Sequence, residues 1–542
     1  MPIFLQNSKP MAVPFGLIVY MCADDDINTS NNTYLKKLHQ NLKAHKAEGG
    51  VPFLIAVQCT KKWPLNITTK RVIMLSNEVA GEADSDLPWA VQRRANPGSQ
   101  VVLYNFLDAV KQANPTLEHY VLVIWGHGGI FFTFSGSLDP HVATFGLLSQ
   151  TWAGTQNVNV ASDFAPTGRR FGYEEVKRLV SRLARQSVPG VEPLEWLPAS
   201  MQVNALGEEI GDVQTTALRL LPTLPLAAFF KAQATALLAY YDTLPADAPA
   251  VAVLDETIVP PSAFGILPTQ LGIEEIHWAI TKAGMAGQID LLVFNNCCMQ
   301  NAENLFSLST SVKYILGSQD YLYRDEIALA YELEALFKFD PNQVSLMASR
   351  LIDDFPLHVR PANAADAWAY SLVRANMLQA FVQDHFEPLI MALTNNANAL
   401  KTNITQARNC CESVTDDGNN NTPDIQVSMV DLIWFLQNLQ HFLTAEPQGA
   451  AVKVLITNCL QALKAGSGLV AKSVAGPNRE AGALGQISYG CQGLNIMFPA
   501  TKQEWQKLKQ SRTFSSYFAL VSPKAKFYKD SGWRNFLDVY YS

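Results

Sequence analysis

Five short apolar runs, each closed by a turn signal, constrain this chain more than any other feature. They are Gly16–Met21, Pro52–Gln58, Tyr120–Trp125, Ile289–Phe294 and Tyr314–Gly317. Runs of this length with little polar alternation suit strands buried on both faces of a parallel sheet. Arg71–Leu75 is a further strand candidate. Helical patterns separate the runs: Thr29–Lys46, Ser99–Ala113, Gly272–Ala283 and Met299–Leu308. In Ser99–Ala113, Val102, Phe106, Leu107 and Val110 share one face. The alternation predicts an α/β fold with a parallel-rich, doubly wound sheet flanked by helices.

A chain of 542 residues has room for about three to four domain-sized units. With 48% hydrophobic and only 16% charged residues, much of it must be buried. The pattern divides it into an α/β core over 1–340, a helical subdomain over 341–480, and a C-terminal segment, 481–542, returning to the core. Order loosens at about 131–268, where Pro and Gly recur around two helical stretches. This reads as a long insertion or lid. Gly493–Phe498, stopped by Pro499, is the last expected strand.

Composition also excludes. The net charge of −7 comes without a basic stripe, which argues against nucleic acid as a partner. There is no apolar run of about 18 residues to span a membrane. Residues 1–12 lack the apolar segment of a secretory signal, so a cytoplasmic location is expected. Eight cysteines without a CxxC are too few for a disulfide scaffold and do not form a zinc pattern. Nucleotide-binding signatures GxGxxG and GxxxxGK[ST] are missing, so no cofactor is expected. Cys410–Cys411 reads as packing, and His277, beside Trp278, as structural. The Asp416–Asp424 loop has oxygen ligands but not the EF-hand order.

The chemistry concentrates at two strand ends. In open α/β sheets, sites form beyond the carboxyl ends of the strands. His127 lies two residues past Tyr120–Trp125, and Cys297 three past Ile289–Phe294. If those strands are neighbours, an imidazole and a thiol converge. An imidazole favours the reactive thiolate, as does the helix start that follows Cys297. The backbone N–H groups of Gly128 and Cys297 are candidates for an oxyanion hole. The opposing reading is that cysteine is among the most often buried residues, and a strand-end cysteine usually packs.

Around these residues the sequence resembles the clostripain-like cysteine peptidases, family C11 of the caspase-fold clan. Val121–Gly128 (VLVIWGHG) is similar to the family's LILWDHG, and Ile289–Met299 (IDLLVFNNCCM) to its IDLIGFDACLM. Leu17–Asp24, Tyr314–Asp320, Val430–Leu432, Gly493–Pro499 and Gly532–Leu537 resemble further family landmarks, all in family order. The insertion at about 131–268 has no counterpart. The resemblance implies a caspase-like fold, with His127 as general acid/base and Cys297 as nucleophile. Cys298 falls where the family has leucine. It also implies cleavage after Arg or Lys, through acidic residues lining the S1 pocket. One of these positions is Asn295 here instead of Asp; another is matched by Asp325, with Asp320 in reserve. Family members mature by self-cleavage between the His and Cys motifs, which points to Arg169–Arg170. Some use calcium, for which the Asp416–Asp424 loop is the candidate.

The sequence thus predicts a caspase-fold cysteine endopeptidase with a polypeptide substrate, possessing a Cys/His dyad, basic P1 preference and self-activation. The rival is a catalytically silent relative that binds a peptide or partner through the same cleft.

Overall fold

The apolar runs form the centre of one sheet. The computed structural model describes residues 13–21, 37–38, 40–41, 54–63, 66–75, 90–93, 100–129, 132–134, 270–320, 322, 326–358, 368–411, 413–416, 427–443, 447–476, 491–510 and 526–542. In chain order the strands begin with β1 (Gly16–Met21), β2 (Leu54–Trp63), β3 (Asn66–Leu75), β4 (Ala90–Arg93), β5 (Tyr120–Trp125), β6 (His127–Gly129), β7 (Phe132–Phe134) and β8 (Gln270–Gly272). They continue with β9 (Ile289–Asn295), β10 (Val312–Gly317), β11 (Ala369–Val373), β12 (Ser413–Asp416), β13 (Val427–Asp431), β14 (Val470–Ala475) and β15 (Asn495–Met497).

Nine of these make one sheet, ordered β14-β11-β10-β9-β5-β1-β2-β3-β4. The five central strands, β10-β9-β5-β1-β2, are parallel. Antiparallel strands finish both edges. The α/β class expected from the sequence is the class observed. The 341–480 stretch, expected to be a helical subdomain, also supplies β11 and β14 to this sheet. Both are short and packed on the sheet edge, where neighbours override a weak local pattern.

β1, β5 and β9 are buried throughout, which is why they read as continuous apolar runs. Successive side chains pack into two different layers. Tyr120, Leu122 and Ile124 of β5 join Leu103, Phe106, Leu107 and Val110 of α1 (Gln100–Ala113) and Ile276, Ala279 and Ile280 of α2 (Ile273–Lys282). Val121, Val123 and Trp125 face the other layer. There they meet Leu333, Leu336 and Phe337 of the helix Glu326–Phe337, and Met347, Leu351 and Ile352 of the helix Val344–His358. Each fully buried Leu, Val, Ile or Phe contributes about 1.5–3 kcal/mol. With layers on both faces, the sheet's carboxyl edge is where a parallel sheet of this kind exposes chemistry.

Two small sheets stand beside this edge. β6, β7 and β8 form an antiparallel set, and β8 runs directly into α2. Phe134, just inside the expected insertion, pairs across the ladder with Gln270, just after it. Residues 135–269, with Arg169, Arg170 and the two expected helices, lie outside the described residues. β15, the last expected strand, joins β12 and β13 and not the large sheet. From there the chain ends in the helices Lys526–Ser531 and Trp533–Tyr540, whose Phe527, Trp533, Phe536 and Leu537 complete the core on the α1–α2 face.

Candidate active site

β5 and β9 are direct parallel neighbours, and Trp125 and Asn295 are their last paired residues. Two residues beyond this pair, one on each strand, stand His127 and Cys297. The strands that carry the two candidate residues therefore end together at one sheet edge. His127 and Gly128 are described through their backbone, which forms the start of β6.

Cys297 lies in a turn and is partly exposed. Its Sγ accepts a hydrogen bond from the Leu322 backbone N–H at 3.3 Å. Cys298 is buried and adopts a left-handed backbone with φ 58°. For a residue other than glycine that conformation costs about 1–3 kcal/mol and persists only where the surroundings impose it. Here they do. The Cys298 N–H donates to the Asp320 carbonyl at 3.0 Å, and Asn301 Nδ2 donates to the Cys298 carbonyl at 3.3 Å. Asn301 then caps the helix Ala302–Leu308, its side chain accepting from the Asn304 N–H. The turn is locked from both sides, and it presents Cys297 while burying Cys298.

Of the other described thiols, only the buried ones contrast with Cys297. Cys410 and Cys491 are partly exposed and, like the rest, not in disulfides. Burial pushes the Cys411 and Cys459 thiols up to about 12, which makes them inert at neutral pH.

Asn295 does not open onto solvent. Its Nδ2 donates to Glu332 Oε1 at 2.7 Å, and both side chains are buried. An Asp at 295 would set two carboxylates at hydrogen-bond distance, and only one of them would ionise readily. Asp320 is also buried and supports the turn through its carbonyl. Asp325 lies outside the described residues. Sequence reasoning missed Glu332 and Asn296. The Asn296 side chain is buried and donates from Nδ2 to the Gly126 carbonyl at 2.8 Å. No local motif announces either contact.

Behind the turn, a buried polar network ties the large sheet to the small C-terminal one. Gln319 Nε2 lies 2.8 Å from both Asp431 Oδ2 and Asn495 Oδ1, and its Oε1 accepts from the Gly493 N–H at 2.7 Å. Burial raises the Asp431 carboxyl to about 6, against the pull of four hydrogen bonds. Glu303, on the helix after the turn, accepts from the Met497 N–H at 2.9 Å and from the Tyr528 hydroxyl at 3.1 Å. Burial raises it to about 7.

Other candidates are placed elsewhere. His277, midway along α2, has its Nδ1 2.6 Å from Ser311 Oγ. Cys410 and Cys411 follow the helix Lys401–Asn409, and Trp434 Nε1 donates to the Cys410 carbonyl. Of the Asp416–Asp424 loop only Asp416 is described, at the end of β12. Among the described residues, no group of three or more His, Cys, Asp or Glu side chains is placed to hold a metal ion. Among them too, no helix is long and apolar enough to cross a membrane.

No protein-family model and no curated protein matches the chain. Among solved structures it is similar to an inactive zymogen C11 protease from Parabacteroides distasonis. Identity there is 13%, coverage 96% of this chain and 99% of that one, and the TM-score 0.44. It is also similar to a secreted C11 cysteine protease from Bacteroides thetaiotaomicron in complex with an irreversible peptide inhibitor. That pair shares 12% identity over 96% and 99% of the two chains, with a TM-score of 0.43. A second structure of a secreted C11 cysteine protease from that organism, "iotapain", gives 10% identity, 94% and 99% coverage, and a TM-score of 0.44.

Proposed function

We propose that this chain is a cysteine endopeptidase working through Cys297 and His127. The observation that carries the proposal is the shared exit of β5 and β9. It brings both residues to one sheet edge, with a partly exposed thiol in a locked turn beside a buried one. Cys297 passes its thiol proton to His127, its Sγ attacks the peptide carbonyl, and the oxyanion is met by N–H groups of Gly128 and Cys297. His127 gives its proton to the leaving amine, and the C–N bond breaks to leave a thioester. A water, deprotonated by His127, then attacks the thioester carbonyl and releases the acid and the thiol.

The preferred P1 residue is basic. A cationic side chain leaving water needs a carboxylate partner. Asn295 supplies none directly, so the charge rests on Asp325, with Asp320 in reserve. The test is kcat/KM for matched peptides with Arg, Lys and neutral P1 residues. Asp325→Ala is expected to lower the Arg-to-neutral ratio about 10- to 100-fold while cleavage after neutral residues persists. An unchanged ratio assigns the pocket elsewhere. Peptide binding without turnover in wild type would instead favour a silent binding module.

Self-activation is the second part of the proposal. The interval between the two motifs holds Arg169–Arg170, the basic pair after which such a cut would fall. Incubated wild type is expected to give two fragments cut near Arg170 by mass spectrometry, while Cys297→Ala stays intact. An active wild type that remains one chain shows that processing is unnecessary.

A further inference from the structure

The parallel ladder between β5 and β9 stops at Trp125 and Asn295. Beyond it, each strand continues for one residue, Gly126 or Asn296, before reaching His127 or Cys297. Something must fix the two exits against each other, because a dyad misplaced by about 1 Å can lose 10²-fold in rate. The backbone contributes little: the Gly126 N–H reaches the Asn295 carbonyl only at 3.5 Å, the outer limit of a hydrogen bond. The Asn296 side chain contributes more, donating to the Gly126 carbonyl at 2.8 Å in a fully buried setting. The amide orientation is not ambiguous, because a carbonyl accepts and only the Nδ2 end donates.

We propose that Asn296 is a positioning residue: its side chain clamps the strand exit before His127 to the strand exit before Cys297 and so sets the spacing of the dyad. This inference rests on the peptidase reading above. The contact joins the residues immediately preceding the two candidate groups. It also joins two places where this chain departs from the segments it resembles. Gly126 stands where those segments have Asp, and Asn296 where they have Ala. Gly126 carries no side chain to keep the Asn296 amide from its carbonyl, so the two departures fit together as one contact.

The test compares wild type with Asn296→Ala and Asn296→Asp. The second keeps the shape but, when ionised, has no donor, so it stays informative if the alanine variant folds poorly. Three quantities are read: kcat and KM on a basic-P1 peptide, the melting temperature, and the iodoacetamide rate of Cys297 at pH 6 and pH 8. An isolated thiol reacts roughly 80-fold faster at pH 8 than at pH 6, whereas one ionised by a close imidazole reacts nearly equally at both. Wild type is expected to show a ratio below about five. Both variants are expected to lose about 10²-fold in kcat with KM within about threefold, and to move toward the isolated-thiol ratio. A merely structural loss would reduce the folded fraction and leave the ratio of the folded remainder unchanged. That result overturns the inference, as does kcat within about threefold of wild type in a folded variant. A wild-type protein with the isolated-thiol ratio and no turnover removes the peptidase reading itself, and is told apart by wild type alone.

Discussion

Cys297→Ala is expected to reduce peptide cleavage by about 10⁴-fold or more, to the limit of detection, while Cys298→Ala keeps at least about a third of it. The two residues are adjacent and chemically identical, so the difference comes entirely from the turn. Cys298 is buried in a left-handed conformation, with its backbone held by Asp320 and Asn301. Cys297 is the thiol left partly exposed at the sheet edge. Removing the Cys298 sulfur deletes a small buried group and costs stability on the order of 1 kcal/mol, without touching the reacting atoms. Cys298→Gly, which relieves the backbone strain, should be equally active. Matched peptide assays and an irreversible thiol label followed by peptide mapping check both points. A dead Cys298→Ala with an active Cys297→Ala would place the nucleophile one residue later.

The second large effect is on stability against pH. Burial raises Glu303 from 4.5 to about 7 and Asp431 from 3.8 to about 6. In this range the folded state holds protons that the unfolded chain has released. Stability is therefore greatest at the acid end and is lost as pH rises, from about 3.8 to 6 for Asp431 and from 4.5 to about 7 for Glu303. The Glu303 contribution is on the order of 3 kcal/mol. Other carboxylates titrate over the same range, so the clean quantity is the difference between wild type and Glu303→Gln. Gln stays neutral and still accepts from Met497 and Tyr528 through its carbonyl. Its urea midpoint should match wild type near pH 4 and exceed it at pH 8. Parallel pH profiles for the two proteins would show that Glu303 does not titrate between them.

How much of this was legible before the coordinates depends on range. β1, β5 and β9 are buried on both faces, so each wrote its own location as an unbroken apolar run. β11 and β14 did not: AYSLV and VAKSVA lie among helices and become strands only because an edge of the sheet is open to them. His127 and Cys297 stood out because strand ends are where α/β sheets expose chemistry. Asn295 was visible as a missing acid, but its partner Glu332, 37 residues on, was not. The Asn296–Gly126 contact spans 170 positions and leaves no local trace. Contacts of that separation are properties of the strand order, which local sequence pattern specifies only indirectly.

The β7–β8 pair bears on how the chain can be divided. Phe134 and Gln270 are bonded across the base of residues 135–269, so the strands on either side of that interval are fastened to each other independently of what it contains. β1, β2 and β5 come from before it, β9 and β10 from after it, and in the one sheet the two sets meet at the parallel β5–β9 pairing. Two polypeptides divided inside 135–269 would thus be complementary fragments: neither has a finished sheet, and each offers the other a full-length parallel edge. Co-expressed, they should reassociate into one particle, and new chain ends, tags or whole foreign domains should be accepted there while His127 and Cys297 keep their places on opposite sides of the cut.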